Sequence, residues 1–491
     1  MSFVQNFPFF SIILSLVCAV VSFAANARWA RRLSIFLLSA SVVLQGSVLV
    51  YCAVHHVRYY YMMGHYPAPW GNELTAGILE SFLAMLFAGV MLLCVLGGMG
   101  RILRDVPADK QKLYWVMVDL AHVALMAYTN DIFTGYVFIE VLTIASCALL
   151  SVRRGGRVLI ASARYMIFAL MGSGLFLIGV IFTYSVTGHL LFPQLHTAIA
   201  ELWSTGGHRF SVTMSLGLIT AGLAIKSGLF PFHLWMPDTY GQATPASSGI
   251  LSGVVSKGYI VFLIKVIYQV IGIDVFAASG IQTVLLLFGI GGMIAGSVSA
   301  IFARRLTTMI AFSSAAQIGY IYMGLGMGTQ AALGAVLFQI VSHALTKPML
   351  FLSGADLMAV SSGHQDFNSL RAAAHRDPTA GCVFTVGALS MVGIPIFAGF
   401  IPKLYFAAAA FHMGWRTWAV LALALSTLLN VLYFLYTTLL LWVPEAGEKR
   451  DRRLKWAAVP GLVFAALNIA VGLRSYGLMD LFRQGMDLFC Q

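Results

Sequence analysis

Apolar runs long enough to cross a bilayer recur along the whole chain. A helix needs about 20 mostly apolar residues to span the hydrocarbon, and we predict about fourteen such helices. They lie near 9–25, 33–54, 74–98, 112–129, 130–151, 160–187, 210–229, 245–271, 279–303, 305–327, 329–359, 379–411, 416–442 and 456–474. Only 10% of the residues are charged, too few for a soluble domain. The pattern predicts an all-α polytopic membrane protein.

The net charge of +12 follows from topology. Of the 30 Lys and Arg residues, 20 fall in one alternate set of connections and five in the opposite set. This bias is typical of the positive-inside rule and predicts that both termini lie outside. The charges are scattered over many short connections, which excludes nucleic acid as a partner.

Motifs for bound cofactors or metals are missing from the sequence. The six cysteines are scattered without a Cys-x-x-Cys pair, so neither an iron–sulfur cluster nor a zinc site is predicted. The run Gly289–Gly292 lies within an apolar helix and, with Gly296 four residues further on, favours close helix packing over nucleotide binding. We expect no cofactor and no metal in this chain.

Five of the nine lysines are assigned to the predicted spans themselves, whereas every arginine is assigned to a connection or to the end of a span. They are Lys226, Lys257, Lys265, Lys347 and Lys403. A charge near the bilayer centre costs about 2.5–3.5 kcal/mol, so each of them needs a reason. Burial can bring the pKa of a lysine toward neutrality, whereas arginine stays charged. Buried lysines without buried arginines therefore favour a proton relay over fixed ion pairing.

Acidic residues and histidines also fall within spans or at their edges. They are Glu80, Asp119, His122, Glu140, His343 and Asp356. Glu140 lies in the middle of an apolar helix, so we expect its partner on another helix, and a buried lysine is the natural candidate. In such a pair the protonation of one member alters the other, which makes the pair a switch.

Glycine and proline interrupt the chain near three of these lysines. Gly228 and Pro231 follow Lys226, Pro348 follows Lys347, and Gly393, Pro395, Gly399 and Pro402 precede Lys403. Broken helices at two distant positions indicate inverted repeats with a site near the midplane. We predict an N-terminal three-helix segment at 1–111, repeats at 112–271 (helices 4–8) and 272–442 (helices 9–13), and a C-terminal helix and tail at 443–491. The broken helices are the seventh and the twelfth.

Several motifs resemble one family at a joint spacing that is highly specific. They are Lys226–Asp238, Ala243–Ser248, Leu251–Lys257, Thr129–Phe133 with Phe138–Glu140, Ser342–Lys347, Gly393–Pro395, Gly399–Lys403 and Tyr66–Gly71. This set resembles the antiporter-like subunits of respiratory complex I, the D-type subunits of Mrp cation/proton antiporters and group 4 membrane-bound hydrogenases. The resemblance covers at least residues 66–410.

The resemblance implies a role for each matching position. Glu140 and Lys226 match a glutamate and a lysine that modulate each other, and Lys257 matches the central lysine of the eighth helix. His343 and Lys347 match a relay on the eleventh helix, and Lys403 matches the last ionisable residue, on the broken twelfth. Together they imply a proton chain along the membrane midplane.

Further residues are candidates for a secondary part in proton transfer. They are Glu80, Asp119, His122, His233, Asp238, Lys265, Gln317 and Asp356. Gln317 stands where several members of the family carry histidine, and Glu80 stands where many carry aspartate. For Lys265, Glu80 and Asp356 a structural role is an alternative, and His233 and Asp238 are candidates for either a gate or a cap.

Two functions compete. In the first, the chain is a proton-translocating subunit of a redox-driven complex in a bacterial or archaeal inner membrane, resembling NADH:quinone oxidoreductase or a membrane-bound hydrogenase, with the redox cofactors in other subunits. In the second, it belongs to an Mrp-type Na⁺/H⁺ antiporter without a redox partner. An independent solute transporter is a weaker interpretation. Sodium remains the alternative ion, although a lysine-rich interior favours protons.

Overall fold

The computed structural model describes residues 3–63, 66, 72–125, 127–411, 418–444 and 458–490. All of the Tyr66–Gly71 motif except Tyr66, together with Arg416 and the basic cluster Lys449–Lys455, lies outside the described residues.

The described chain is helical apart from one short hairpin. Its N-terminal part contains α1 (Phe7–Ala24), α2 (Ala27–His55), strands β1 (Tyr59–Met62) and β2 (Glu73–Ala76), α3 (Ile78–Asp105), α4 (Ala108–Ala124), α5 (Ile132–Ser151), α6 (Gly156–Thr187), α7 (Phe192–Thr205), α8 (Arg209–Ser227), α9 (Met236–Gln242) and α10 (Pro245–Ile271). There follow α11 (Ile273–Ala278), α12 (Ile281–Ile301), α13 (Leu306–Met327), α14 (Gln330–Val360), α15 (Ala373–Arg376), α16 (Pro378–Val392), α17 (Phe400–Phe411), α18 (Trp418–Trp442), α19 (Val459–Leu473) and α20 (Ser475–Phe489). The two strands pair antiparallel, Tyr59 opposite Ala76.

The predicted all-α polytopic fold is confirmed. Among the described residues, ten helices are long and apolar enough to cross a bilayer, or eleven if α19 and α20, bent by 76°, form one broken span. Each predicted span overlaps at least one helix of the described structure. The fourth span was placed too late in the chain, because α4 already begins at Ala108. The boundaries of the two repeats stay a sequence-based prediction.

Glycines bring the long helices into backbone contact. A Cβ atom at Gly296 of α12 would lie 2.5 Å from the main-chain nitrogen of Ala316 in α13, which confirms the predicted packing role of that glycine. A Cβ atom at Gly222 of α8 would lie 2.5 Å from the carbonyl oxygen of Gly172 in α6. Small residues allow this approach because association inside a membrane depends on close packing.

Both predicted breaks are present. Gly228 is the residue that caps the C-terminus of α8, with φ of 82°, and Gly393 caps the C-terminus of α16, with φ of 90°. Glycine suits these ends because a Cβ atom disfavours this left-handed conformation. In each case irregular chain follows before the next helix begins. A π-helical turn at Leu251–Val255 is a further irregularity, which the sequence did not predict.

Candidate functional site

Glu140 and Lys226 meet, as the sequence predicts. Lys226 Nζ lies 3.0 Å from Glu140 Oε1 and donates a second hydrogen bond to Thr143 Oγ1 at 2.8 Å. Ser173 Oγ of α6 donates to the same carboxylate oxygen at 2.5 Å. The Lys226 side chain has no exposed surface, whereas 23% of the Glu140 side chain is exposed. The pair thus joins the end of α8 to the middle of α5, with the carboxylate at the edge of the bundle.

Tyr259 of α10 is a further member of this group. The Lys226 amine lies 5.7 Å from the centre of the Tyr259 ring, and the Tyr259 hydroxyl is 3.3 Å from Thr143 Oγ1. Tyr259 is two residues beyond Lys257 on α10. Sequence reasoning missed both Thr143 and Tyr259. For Thr143 the sequence contained a signal, because Thr143 follows Glu140 by three residues and therefore shares its helix face.

Lys257 is fully buried and bonded within its own helix. Its amine donates to the carbonyl oxygen of Ser252 and, at 3.0 Å, to Ser256 Oγ. Ser252 lies five residues earlier, in the π-helical turn, where the backbone pattern shifts from four-residue to five-residue spacing. Such turns are frequent at functional sites.

His343 and Lys347 lie on α14 beside Lys257. Both lysine amines are within electrostatic range of the histidine ring. Neither ring nitrogen of His343 has a hydrogen-bond partner among the described residues, although only 1% of the residue is exposed. The Lys347 amine donates to the Ile310 carbonyl oxygen at 2.9 Å and to Ser313 Oγ at 2.5 Å. The structure thus gathers three of the predicted residues in one place.

Lys403 stands apart from those three. Its amine donates to the main-chain carbonyls of Met391 at 3.0 Å and Val392 at 2.8 Å, at the end of α16. It also lies 5.4 Å from the centre of the Tyr320 ring on α13. The carbonyls are available because the break leaves the last carbonyls of a helix without their usual partners.

Hydroxyl and amide side chains lie beside both Lys347 and Lys403. Ser313, which accepts a hydrogen bond from Lys347, lies near Tyr433, although no hydrogen bond joins the two side chains among the described residues. The Tyr433 hydroxyl donates to Asn430 Oδ1 at 2.6 Å, and Asn430 Nδ2 donates to the Tyr320 hydroxyl at 3.2 Å. Sequence reasoning missed these groups on α13 and α18, because nothing in the sequence states which helices face each other.

Two of the secondary candidates, Gln317 and His233, are buried in the helical bundle. Gln317 accepts a hydrogen bond from Gln339 Nε2 at 2.6 Å in the core. The ring of His233 lies between Phe230 and Phe312 after the first break, and its Nδ1 has no partner among the described residues.

Two carboxylates near helix ends have arginine partners. Asp356 pairs with Arg101 at 2.7 Å, and half-exposed Asp238 pairs with Arg164. Both pairs lie where helices meet their connections.

Three of the last four candidates lie on the N-terminal helices α3 and α4, and the fourth, Lys265 of α10, contacts the segment that follows α4. Glu80 pairs with Arg58 at 3.2 Å, and Lys265 donates to the carbonyls of Ala127 at 2.8 Å and Thr129 at 2.6 Å. Asp119 and His122 are buried on α4 and face α1. None of the four contacts the Glu140–Lys226 pair through a hydrogen bond among the described residues.

Comparison with protein families gives one match over most of this region. A model described as "NADH:quinone oxidoreductase/Mrp antiporter, TM" matches residues 129–429. Among similar proteins, the NADH-quinone oxidoreductase subunit N of Desulforudis audaxviator is 31% identical, covering 97% of this chain and 96% of the relative. The D-type subunit of the Na⁺/H⁺ antiporter of Bacillus subtilis is 26% identical, covering 96% and 94%.

Solved structures share the fold. A chain of the archaeal membrane-bound sulfane sulfur reductase superposes with a TM-score of 0.89 at 23% identity, covering 99% of this chain and 97% of the other. A chain of the Mrp complex from Dietzia superposes with a TM-score of 0.87 at 22% identity, covering 100% and 98%.

Proposed function

We propose that this chain, which belongs to the NADH:quinone oxidoreductase/Mrp antiporter membrane family, translocates protons as one membrane subunit of a redox-driven complex. The observation that carries this proposal is the ion pair of Lys226 with Glu140 at a broken helix. A buried amine beside a carboxylate can hold or release a proton according to the state of its partner. The pair is therefore the proposed switch of the path.

The middle of the path is the group of Lys257, His343 and Lys347. Each side chain can bind one proton and give it up, and three such groups within electrostatic range of one another cannot all carry charge without repulsion. When a proton binds Lys257, repulsion between the charged groups therefore favours transfer of a proton to His343. The unpartnered ring nitrogens of His343 leave both positions free to accept and to donate.

The last step runs from Lys347 to Lys403. The proposed route uses the hydroxyl of Ser313 and the hydrogen-bonded side chains of Tyr433, Asn430 and Tyr320, with water joining Ser313 to Tyr433. Hydroxyl groups and the water they hold can pass a proton without a net change in their own charge. Lys403 then releases the proton beside the second break.

Protons rather than sodium ions suit this line. Ammonium groups repel a cation, and sodium favours clusters of oxygen ligands, whereas the proposed path contains four lysines and one histidine. We propose that the driving reaction and its redox cofactors belong to other subunits. The exposed edge of Glu140 offers one place where a neighbouring subunit could act on the switch. The proposed location is a bacterial or archaeal cytoplasmic membrane, with both termini outside.

Two substitutions test the switch. Proton flux would be measured in vesicles containing the complete complex, with an entrapped pH-sensitive dye. In both Lys226→Ala and Glu140→Gln we expect the flux to fall at least about a hundredfold, the usual effect of losing an acid–base group. Lys110→Ala is the control, since this lysine lies at the start of α4 and, among the described residues, its amine donates only to the Ser151 carbonyl at 3.4 Å. Unaltered flux in both test variants would refute the relay.

An Mrp-type Na⁺/H⁺ antiporter subunit is the second candidate, favoured by the close superposition on the Dietzia chain. Purification of the complex through this chain separates the two. Co-purifying subunits with redox cofactors support the first function, whereas a set of small membrane subunits without redox cofactors supports the second.

A further inference from the structure

The first helix presents a line of serines to the interior of the N-terminal bundle. Ser11, Ser15 and Ser22 are fully buried. Their spacing of four and seven residues places them on one face of α1. Eleven residues of helix rise by about 16 Å, roughly half the thickness of the hydrocarbon. The line therefore covers a substantial part of a membrane crossing.

Each serine contacts a polar group of another helix. Ser22 Oγ donates to Asp119 Oδ2 at 3.1 Å, and Ser15 Oγ lies 2.9 Å from His122 Nδ1. Ser11 Oγ accepts a hydrogen bond from Gln45 Nε2 at 2.7 Å. The polar line is thus shared by α1, α2 and α4.

Asp119 and His122 carry more polar atoms than their hydrogen bonds use. Asp119 has no exposed surface and His122 only 2%. Asp119 Oδ1 and His122 Nε2 have no hydrogen-bond partner among the described residues. An unpaired polar atom in an apolar interior is costly, and ionisable residues at membrane depth mark proton routes more often than packing sites. Three residues apart on α4, the two side chains share one face.

The line continues to a second ionisable group. The Tyr128 hydroxyl donates to Gln45 Oε1, and Tyr128 also lies near Ser81 and Glu80. Glu80 is only 2% exposed, and Lys265 is within electrostatic range of it. Polar groups therefore lead from Asp119 on α4 to Glu80 at the start of α3.

We propose that α1–α4 contain a second proton path, in which Asp119 and His122 bind and exchange a proton and the serine, Gln45 and Tyr128 contacts lead it to Glu80. Asp119 takes up the proton as a carboxylate and gives it to the neutral imidazole of His122, which passes it on. Gln45 does not release a proton itself but holds Ser11 and Tyr128 in place, and a water molecule beside the amide carries the proton from the Ser11 hydroxyl to the Tyr128 hydroxyl. The path uses none of the six residues from Glu140 to Lys403, so it goes beyond the proposed function.

Asp119→Asn tests this path in the complete complex reconstituted in liposomes. A potassium diffusion potential drives protons, and an entrapped pH-sensitive dye reports their flux. Asparagine can still accept the Ser22 hydrogen bond but cannot bind a proton. The control is Asp109→Asn on the same helix, because Asp109 is 63% exposed and pairs with Arg154 at the surface.

The expected result depends on whether the first path is active. With Glu140 intact, Asp119→Asn leaves the flux equal to that of the control, because the first path carries nearly all of it; in Glu140→Gln it lowers the remaining flux by about a hundredfold. Flux equal to that of the Asp109→Asn control in both backgrounds would overturn the proposal. Normal flux in Glu140→Gln with a loss in Asp119→Asn would refute the first path and leave the second standing.

Carbodiimide labelling of the unaltered complex covers the case in which Asp119→Asn does not assemble. Dicyclohexylcarbodiimide modifies protonated carboxyl groups in apolar surroundings, and peptide mass spectrometry locates the product. We expect labelling at Asp119 that increases as the pH falls, with exposed Asp109 as the reference in the same sample. No modification of Asp119 at any pH would show that this carboxylate does not take up protons and would overturn the second path.

Discussion

The break after α8 and the break after α16 both place a lysine amine at a helix interruption, but the two amines have different partners. Lys226 lies before its break and contacts the carboxylate of Glu140 at 3.0 Å. Lys403 lies beyond its break and donates to the carbonyls of Met391 and Val392 at the end of the preceding helix. Similar glycine-containing helix ends thus produce two distinct electrostatic sites.

The difference concerns what can change at each site. A carboxylate gains or loses a full charge, so the partner of Lys226 can itself change state. A main-chain carbonyl has a fixed dipole, so the surroundings of Lys403 change only if the backbone moves. We interpret the first break as a controlled switch and the second as a fixed acceptor at the end of the path.

Lys403→Arg has the largest expected effect. Arginine keeps the positive charge and can still donate to the two carbonyls, but it does not release a proton near neutral pH. If Lys403 must deprotonate, we expect a loss of about a hundredfold in proton flux with normal assembly of the complex, comparable to removing an acid–base group. The measurement is dye-monitored flux together with the amount of assembled complex. Normal flux would mean that Lys403 supplies only charge.

Exchanging the residues of the first pair is expected to have an intermediate effect. Glu140→Lys alone places two amines together, whereas Glu140→Lys with Lys226→Glu restores one acid and one amine. Contacting residues couple by about 0.5–3 kcal/mol, so we expect the double variant to exceed the single variant by about tenfold in assembled complex. Purification yield measures this. Equal yields would indicate that the pair is not electrostatically coupled, and the contrast with Lys403 would disappear.

Alanine at the two helix-ending glycines separates backbone strain from displacement of the lysine. At Gly228 and Gly393 alanine costs about 1–2 kcal/mol in the left-handed conformation. A Cβ atom at Gly393 would also lie 3.0 Å from Cδ and 3.2 Å from Nζ of Lys403, whereas at Gly228 it would meet the flexible side chain of Met236. At a similar loss of thermal stability, we therefore expect Gly393→Ala to reduce flux several-fold more than Gly228→Ala. The reverse order would show that the first break is the more sensitive one.

The sequence predicted the breaks and the ionisable residues because glycine, proline and buried charge are local signals. A buried lysine partner for Glu140 could also be predicted, since an isolated carboxylate at membrane depth needs a partner, and the family resemblance named Lys226. The carbonyl partners of Lys403 could not, because they depend on how the chain turns after Gly393. The same holds for the contact of Lys257 with Ser252, which depends on a π-helical turn, and for Tyr433, whose place beside Ser313 depends on helix packing.

Asp238→Asn has the smallest expected effect and decides whether the connection at the first break contains a gate. The connection after Lys226 leads to Asp238, whereas the residues from Gly393 to Gly399 include no ionisable side chain. Asp238 is half-exposed and pairs with Arg164, and such a surface pair contributes about 0.2–1 kcal/mol at most. We therefore expect flux within about twofold of the unaltered complex, at low and at high salt, because solvent and ions already screen the pair. Arg164→Gln should match it, since either substitution removes the same pair. A much larger loss in Asp238→Asn alone would assign the carboxylate itself to proton passage and would make the first break a gate as well as a switch.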